Sequence, residues 1–174
     1  MEKITPRFWL LTFMVFAAAF IRLIPHPPNF APIAAMALFG GAYFNRKSFA
    51  FAVPLAAMFL TDAIIGFHSE MWLVYLSFAL IVLIGMLMLK KVNIKNVIIA
   101  SLTASISFFI ITNFGVWAFG TMYPKNIAGL IECYIAAIPF IQNTLIGDLF
   151  FSGIMFGMFE FVKAKLPLLS QAKV

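Results

Sequence analysis

Six apolar stretches, residues 8–23, 30–44, 49–67, 71–89, 97–120 and 145–162, follow one another along the chain with only short polar breaks between them. A bilayer core about 30 Å thick is crossed by roughly 20 apolar residues in a helix, so most of these stretches have the length of a transmembrane span. Composition agrees: 64% of the residues are hydrophobic and 10% charged, where a soluble domain holds about 45–50% and 25%. The expected fold is an all-α integral membrane bundle of six transmembrane helices forming a single membrane domain, 1–174. Because apolar runs recur almost to the end and no small-residue cleavage site follows the first, that first run is not expected to be a removable signal peptide. The second stretch gives only about 22 Å of helix, so it must either lie where the bilayer is thinned or be shielded by its neighbours. Residues 127–140, closed by Pro139, are expected to form a short extra helix lying across the outer mouth.

Charge placement sets an orientation. With the N-terminus inside, ten of the twelve basic residues fall on the cytoplasmic side, namely Lys3, Arg7, Arg46, Lys47, Lys90, Lys91, Lys95, Lys163, Lys165 and Lys173, and only Arg22 and Lys125 fall outside. This is the positive-inside pattern, and it places both termini in the cytoplasm. The net charge of +6 therefore reports the bilayer as partner, and no nucleic acid is implied. One cysteine, Cys133, excludes an internal disulfide framework and a paired-cysteine metal site. No cofactor is expected.

The polar residues that remain gather toward the outer end. Ionisable groups in membrane helices are costly and usually face a cavity or a partner, so their grouping implies an outward-facing pocket for a small-molecule solute. One wall is the break at Pro27 and Pro28, beneath Arg22 and His26, with Asn29 as N-cap of the next helix. A second runs from Asp62 through His68 to Trp72. A third holds Asn113 and Trp117, four residues apart on one helical face. The fourth brings Glu132, Cys133 and Tyr134 across the mouth, with Asn143 and Asp148 opening the last span.

The runs RLIPHPPNFAPIAAMALFGGAYF, TD at Thr61 and Asp62, TNFGVW at 112–117 and AAIPFIQNTLIGDLFF at 136–151 resemble a bacterial family of unknown function whose members are described as transport proteins. That family is similar in fold to the substrate-binding S components of energy-coupling factor (ECF) vitamin transporters. The resemblance implies a protein of the bacterial cytoplasmic (inner) membrane that binds a vitamin or cofactor precursor from outside, either served by an ECF-type energising module or working as a solitary transporter. Such components dock through an Ala-x-x-x-Ala stripe on the first helix. Here Ala17, Ala18 and Ala19 lie in a row instead, and the small-xxx-small pairs Ala52/Ala56, Ala100/Ala104 and Gly153/Gly157 lie on other helices. A related solitary family carries cobalamin with a cysteine thiolate on cobalt, which makes Cys133 a candidate ligand to a substrate-borne metal and a corrinoid the first candidate solute.

Asp62, Glu70, Glu132 and Asp148 against Arg22 and Lys125 make the mouth neutral to acidic. An aromatic or amphipathic solute, neutral or cationic, fits that balance better than a phosphate-rich one. Two other classes stand beside transport. A membrane-embedded enzyme would need a nucleophile or metal motif, and no HExxH, GxSxG, P-loop or cysteine-rich spacing occurs, so no enzyme activity is expected. A non-transporting subunit of a larger complex would use the small-residue faces.

Overall fold

The computed structural model describes residues 5–67 and 69–169. Among them the chain forms six α-helices: α1 (Pro6–Ile21), α2 (Ile33–Tyr43), α3 (Lys47–Ile65), α4 (Met71–Met88), α5 (Ile94–Phe119) and α6 (Ile127–Lys165), with a 3-10 turn at Pro167–Leu169. Four of them, α3 to α6, are long and apolar enough to cross a membrane, while α1 and α2 are shorter. Many helices begin as the sequence dictates. Thr5 accepts from the Phe8 amide ahead of Pro6, Asn93 from Asn96 and Asn126 from Gly129, each side chain covering an amide that lacks an intrahelical partner.

The short helix α2 is the centre of the bundle. It packs against each of the other five helices, and all of its 11 residues except Ile33 and Ala42 are buried. A helix that is apolar all round must be covered all round, so its length is set by neighbours and not by the bilayer. The expected shielding of this stretch is what the structure shows.

Close approach to α2 depends on two glycines. A Cβ at Gly41 would overlap the Val82 carbonyl and approach the Met86 amide at 2.9 Å, and the reciprocal Cβ at Gly85 would stand 2.6 Å from the Leu38 carbonyl. Backbone therefore meets backbone where α2 crosses α4. On the other side Gly40 faces α3 at Pro54, with the Ala50 carbonyl 3.1 Å from where its Cβ would be. Pro54 has no amide hydrogen to give Ala50, so the freed carbonyl lies under the bare backbone of Gly40.

Helices alternate in direction. The end of α1, the end of α3 and the start of α4 meet at one end of the bundle through Arg22, Asp62 and Tyr75, called distal below. The start of α1, the end of α2 and the last part of α6 meet at the other through Arg7, Tyr43 and Glu160, called proximal.

Residues 127–140 correct the expectation of a separate helix across the mouth. They are the first part of α6, a continuous helix of 39 residues with Pro139 inside it. One proline removes one backbone bond, to Ile135, and packing along α5 holds the two halves in line. At 1.5 Å per residue α6 is about 58 Å long, close to twice the thickness of a bilayer core. Its exposed face is mostly apolar, from Ile127 and Ile131 to Met158 and Phe161, with Glu132 and Gln142 among the exceptions.

Gly41→Ala and Gly85→Ala should each lower the unfolding free energy by about 1–3 kcal/mol or more, the cost of overpacking. Gly153→Ala, whose added methyl meets nothing within 4 Å, should change it by less than about 0.5 kcal/mol. Unfolding of the purified protein in mixed micelles measures the difference, and equal effects at all three positions would discount the close α2–α4 crossing.

Candidate functional site

The polar residues of the distal half sort into three groups. In the first, Arg22 donates through Nη2 to Asp62 Oδ1 at 2.6 Å and through Nη1 to Thr61 Oγ1 at 2.6 Å. Tyr75 donates to the other carboxylate oxygen at 2.8 Å. The ion pair is almost out of solvent, its side chains 10% and 5% exposed. Arg22 and Asp62, expected to face a solute, are thus satisfied by each other. They fasten the distal ends of α1, α3 and α4, the work of a structural lock.

The second group staples α6 to α5. Cys133 is buried, with its Sγ 3.4 Å from the Asn113 carbonyl. The Asn113 amide group donates to Phe109 on its own helix at 2.8 Å, and Tyr134 donates to the Ile110 carbonyl at 2.7 Å while its ring meets Phe109 edge-on. Trp117 Nε1 donates to the Pro124 carbonyl at 2.9 Å, and Lys125 Nζ closes the same turn on the carbonyls of Trp117 and Gly120. Trp72 is 50% exposed and packs edge-on against Phe119. Glu132 is exposed. His68 lies outside the described residues.

The third group forms a cleft. Its volume is about 70 Å³, and it is lined by Asn29, Ala31, Ile33, Ala34, Phe108, Thr144 and Asp148. The proline ledge makes its rim. Phe30 N–H donates to the Pro27 carbonyl at 3.0 Å and Asn29 has φ of 63°, the geometry of a tight turn with proline second and a left-handed residue third. Asn29 is therefore the turn residue and not the helix cap expected of it; the cap position of α2 falls to Pro32, which offers no side-chain acceptor. Asn143 ties the ledge to α6, donating to the Pro28 carbonyl at 3.0 Å. His26, exposed on the same loop, has Nδ1 at 2.6 Å from the Ile24 carbonyl.

Asp148 forms the floor. It is 3% exposed, accepts from Ser105 at 2.6 Å and lies by the backbone amide of Ala34. That amide is the second of α2, so a carboxylate carried by α6 stands at the N-terminus of α2, where a negative charge is favourable. Of the expected site residues among those described, only Asn29 and Asp148 line the cleft. Thr144 and Phe108 were missed, and so was Ser105 beneath it. The spacings Ser101-x-x-x-Ser105 and Asp148-x-x-x-Ser152 within two apolar spans were the available signal.

The proximal end is less featureless than its sequence suggested. Arg7 Nη2 donates to the Tyr43 carbonyl at 3.2 Å, Tyr43 donates to Glu160 at 2.7 Å, and Lys163 pairs with Glu160 at 2.6 Å. Above this network the rings of Phe39, Tyr43, Phe156 and Phe159 meet at centroid distances of 4.4–5.7 Å.

Apolar helices long enough to span, wrapped around a fully covered central helix and exposing Phe, Leu and Ile outward, define a multi-pass helical membrane protein. The chain belongs to a family of unknown function, DUF6580, whose model matches residues 2–169. No curated protein and no solved structure matches it. A kinship with ECF S components therefore rests on resemblance alone.

Breaking the Arg22–Asp62 lock from one side should be costly. Asp62→Ala leaves a nearly buried guanidinium unpaired and is expected to destabilise by about 3–5 kcal/mol, while Arg22→Met with Asp62→Leu together should recover most of that loss. Thermal unfolding in detergent compares the two. A double variant no more stable than Asp62→Ala would mean that the pair does more than hold helix ends.

Proposed function

We propose that the protein is a membrane transporter that binds a small solute in the distal cleft and carries it inward, a vitamin or cofactor-like micronutrient being the solute class the family resemblance favours. The observation that carries this reading is Asp148, an acid deep in the apolar bundle at the floor of an open cleft. Intramembrane acids in such positions mark solute or ion pathways. Two neutral hydrogen-bonding groups, Asn29 and Thr144, and one ring, Phe108, complete the lining. This chemistry suits a neutral or cationic polar head on an apolar body. A cleft of this size takes a head group and not a macrocycle, and Cys133 faces the Asn113 backbone outside it, so a small metal-free solute is favoured over a corrinoid.

The proximal side supports the same reading. Beyond Asp148 the rings of Phe39, Tyr43, Phe156 and Phe159 close the bundle, as a carrier open on one side requires. The basic residues set the direction: Lys91 and Lys95 between α4 and α5 belong on the cytoplasmic side and the α5–α6 turn belongs outside. Driving force from an ECF-type module is one possibility within this reading. The exposed pairs Ala52/Ala56 and Gly153/Gly157 offer it small-residue faces.

Two measurements test the proposal. Native mass spectrometry of protein purified in mild detergent should show a retained small molecule, lost or at least about tenfold weaker in Thr144→Val, which keeps shape and removes the hydroxyl. A bare parent protein that instead turns over a substrate would favour an enzyme. For orientation, in a Cys133→Ser background, Met122→Cys should react with an impermeant maleimide in intact cells and Lys91→Cys should not. The reverse pattern would invert the topology.

A further inference from the structure

Beneath the cleft floor lies a set of oxygens that the solute reading does not use. Helices α5 and α6 run antiparallel, as the pairs Asn113–Cys133, Ile110–Tyr134 and Ser105–Asp148 show. One turn nearer the proximal end on each helix stand Ser101 and Ser152, four residues from Ser105 and Asp148. Both are buried, at 0% and 1% exposure, and neither hydroxyl has a hydrogen-bond partner. Hydroxyls in apolar helices commonly bond back to the carbonyl four residues earlier, as Thr103, Thr112 and Thr144 do here. Ser101 and Ser152 do not, which leaves two buried hydroxyl oxygens one helical turn along from the Ser105–Asp148 pair.

The charge of Asp148 is not met by the protein. Among the described residues it accepts from the Ser105 hydroxyl and lies by the Ala34 amide, and no basic side chain pairs with it. The N-terminus of α2 offers about half a unit of positive charge. A full negative charge out of water costs several kcal/mol unless it is paired, and a helix end offsets only part of that cost. No group of three His, Cys, Asp or Glu side chains that would hold a divalent ion occurs among the described residues.

We propose that this seam binds a monovalent hard cation of the sodium type, held by the Asp148 carboxylate and the hydroxyls of Ser105, Ser101 and Ser152. One carboxylate among neutral oxygens matches a single positive charge, and oxygen donors suit a hard ion. The bound ion neutralises the cleft floor, so its occupancy and that of the cleft above are linked through one carboxylate. The inference deepens the carrier reading by naming an ion that would accompany the solute, but binding of the ion needs no transport.

The test is thermal unfolding of the purified wild-type protein in detergent, with sodium, potassium or choline chloride at constant ionic strength. A ligand of the folded state raises the midpoint saturably with its concentration. Sodium is expected to do so and choline not, with Asp148→Asn losing the response. Ser101→Ala and Ser152→Ala keep the carboxylate and should each raise the half-saturating sodium concentration about tenfold. Ser77→Ala, which removes a hydroxyl equally buried and unpartnered on α4, should leave it unchanged. An equal rise in sodium and choline, a response retained by Asp148→Asn, or an equal loss in Ser77→Ala would overturn the site. So would a midpoint that follows pH and ignores sodium, since the occupant would then be a proton. A sodium response in a protein that retains no small molecule would sink the carrier reading and leave the ion site standing; a retained solute with no sodium response would do the reverse.

Discussion

A fully buried helix must have both its ends answered from inside the protein, and the rest of this structure is arranged around that requirement. Helix α2 is too short to reach water or headgroups through its own ends, so its terminal amides and carbonyls need partners on other helices. At the start, the Asp148 carboxylate of α6 stands by the Ala34 amide. At the finish, Arg7 of α1 donates to the Tyr43 carbonyl. Acid at the amino end and base at the carboxyl end is the favourable pairing with the helix dipole, worth up to about 2 kcal/mol at each end when partly buried.

The candidate site follows from the same constraint. The chain must climb from the central helix back to the end of α1, and it does so over the Pro27-Pro28-Asn29 turn, which Asn143 pins to α6. Beneath that turn the start of α2 and the flanks of α5 and α6 do not close completely, and the cleft is the space left. Its acidic floor is the carboxylate that stands at the start of α2, and the unpartnered Ser101 and Ser152 lie one helical turn away along α5 and α6. The crossing at Gly41 and Gly85 holds α2 against α4 backbone to backbone.

Much of the fold was legible because a bilayer imposes a length scale on sequence. The six helices were expected near their observed positions, and the shortness of 30–44 left bilayer thinning and shielding as alternatives, between which packing decided. Residues 127–140 were misread for a physical reason: Pro139 signals a break in an isolated helix, whereas a helix lying along α5 keeps going past the one lost bond. The site was legible only in part. Arg22 and Asp62 look like pocket residues in sequence, since 40 positions separate them, and their pairing is visible only in the fold. Asn113, Trp117, Cys133 and Tyr134 bond to backbone carbonyls across the α5–α6 hairpin, partners that carry no sequence signature.

By itself the sequence determined the environment and the spans: apolar runs of about 20 residues admit a bilayer and little else, because every backbone polar group must be bonded within its own helix there. It also determined the breaks, through Pro27 and Pro28, and the glycines that allow contact. Tertiary structure decided which polar groups cancel one another and which remain. Asp62 and Asp148 are both aspartates in apolar helices, yet one is answered by Arg22 and the other by a hydroxyl and a helix end. The difference lies in what stands opposite, a property of packing between helices that local sequence does not encode.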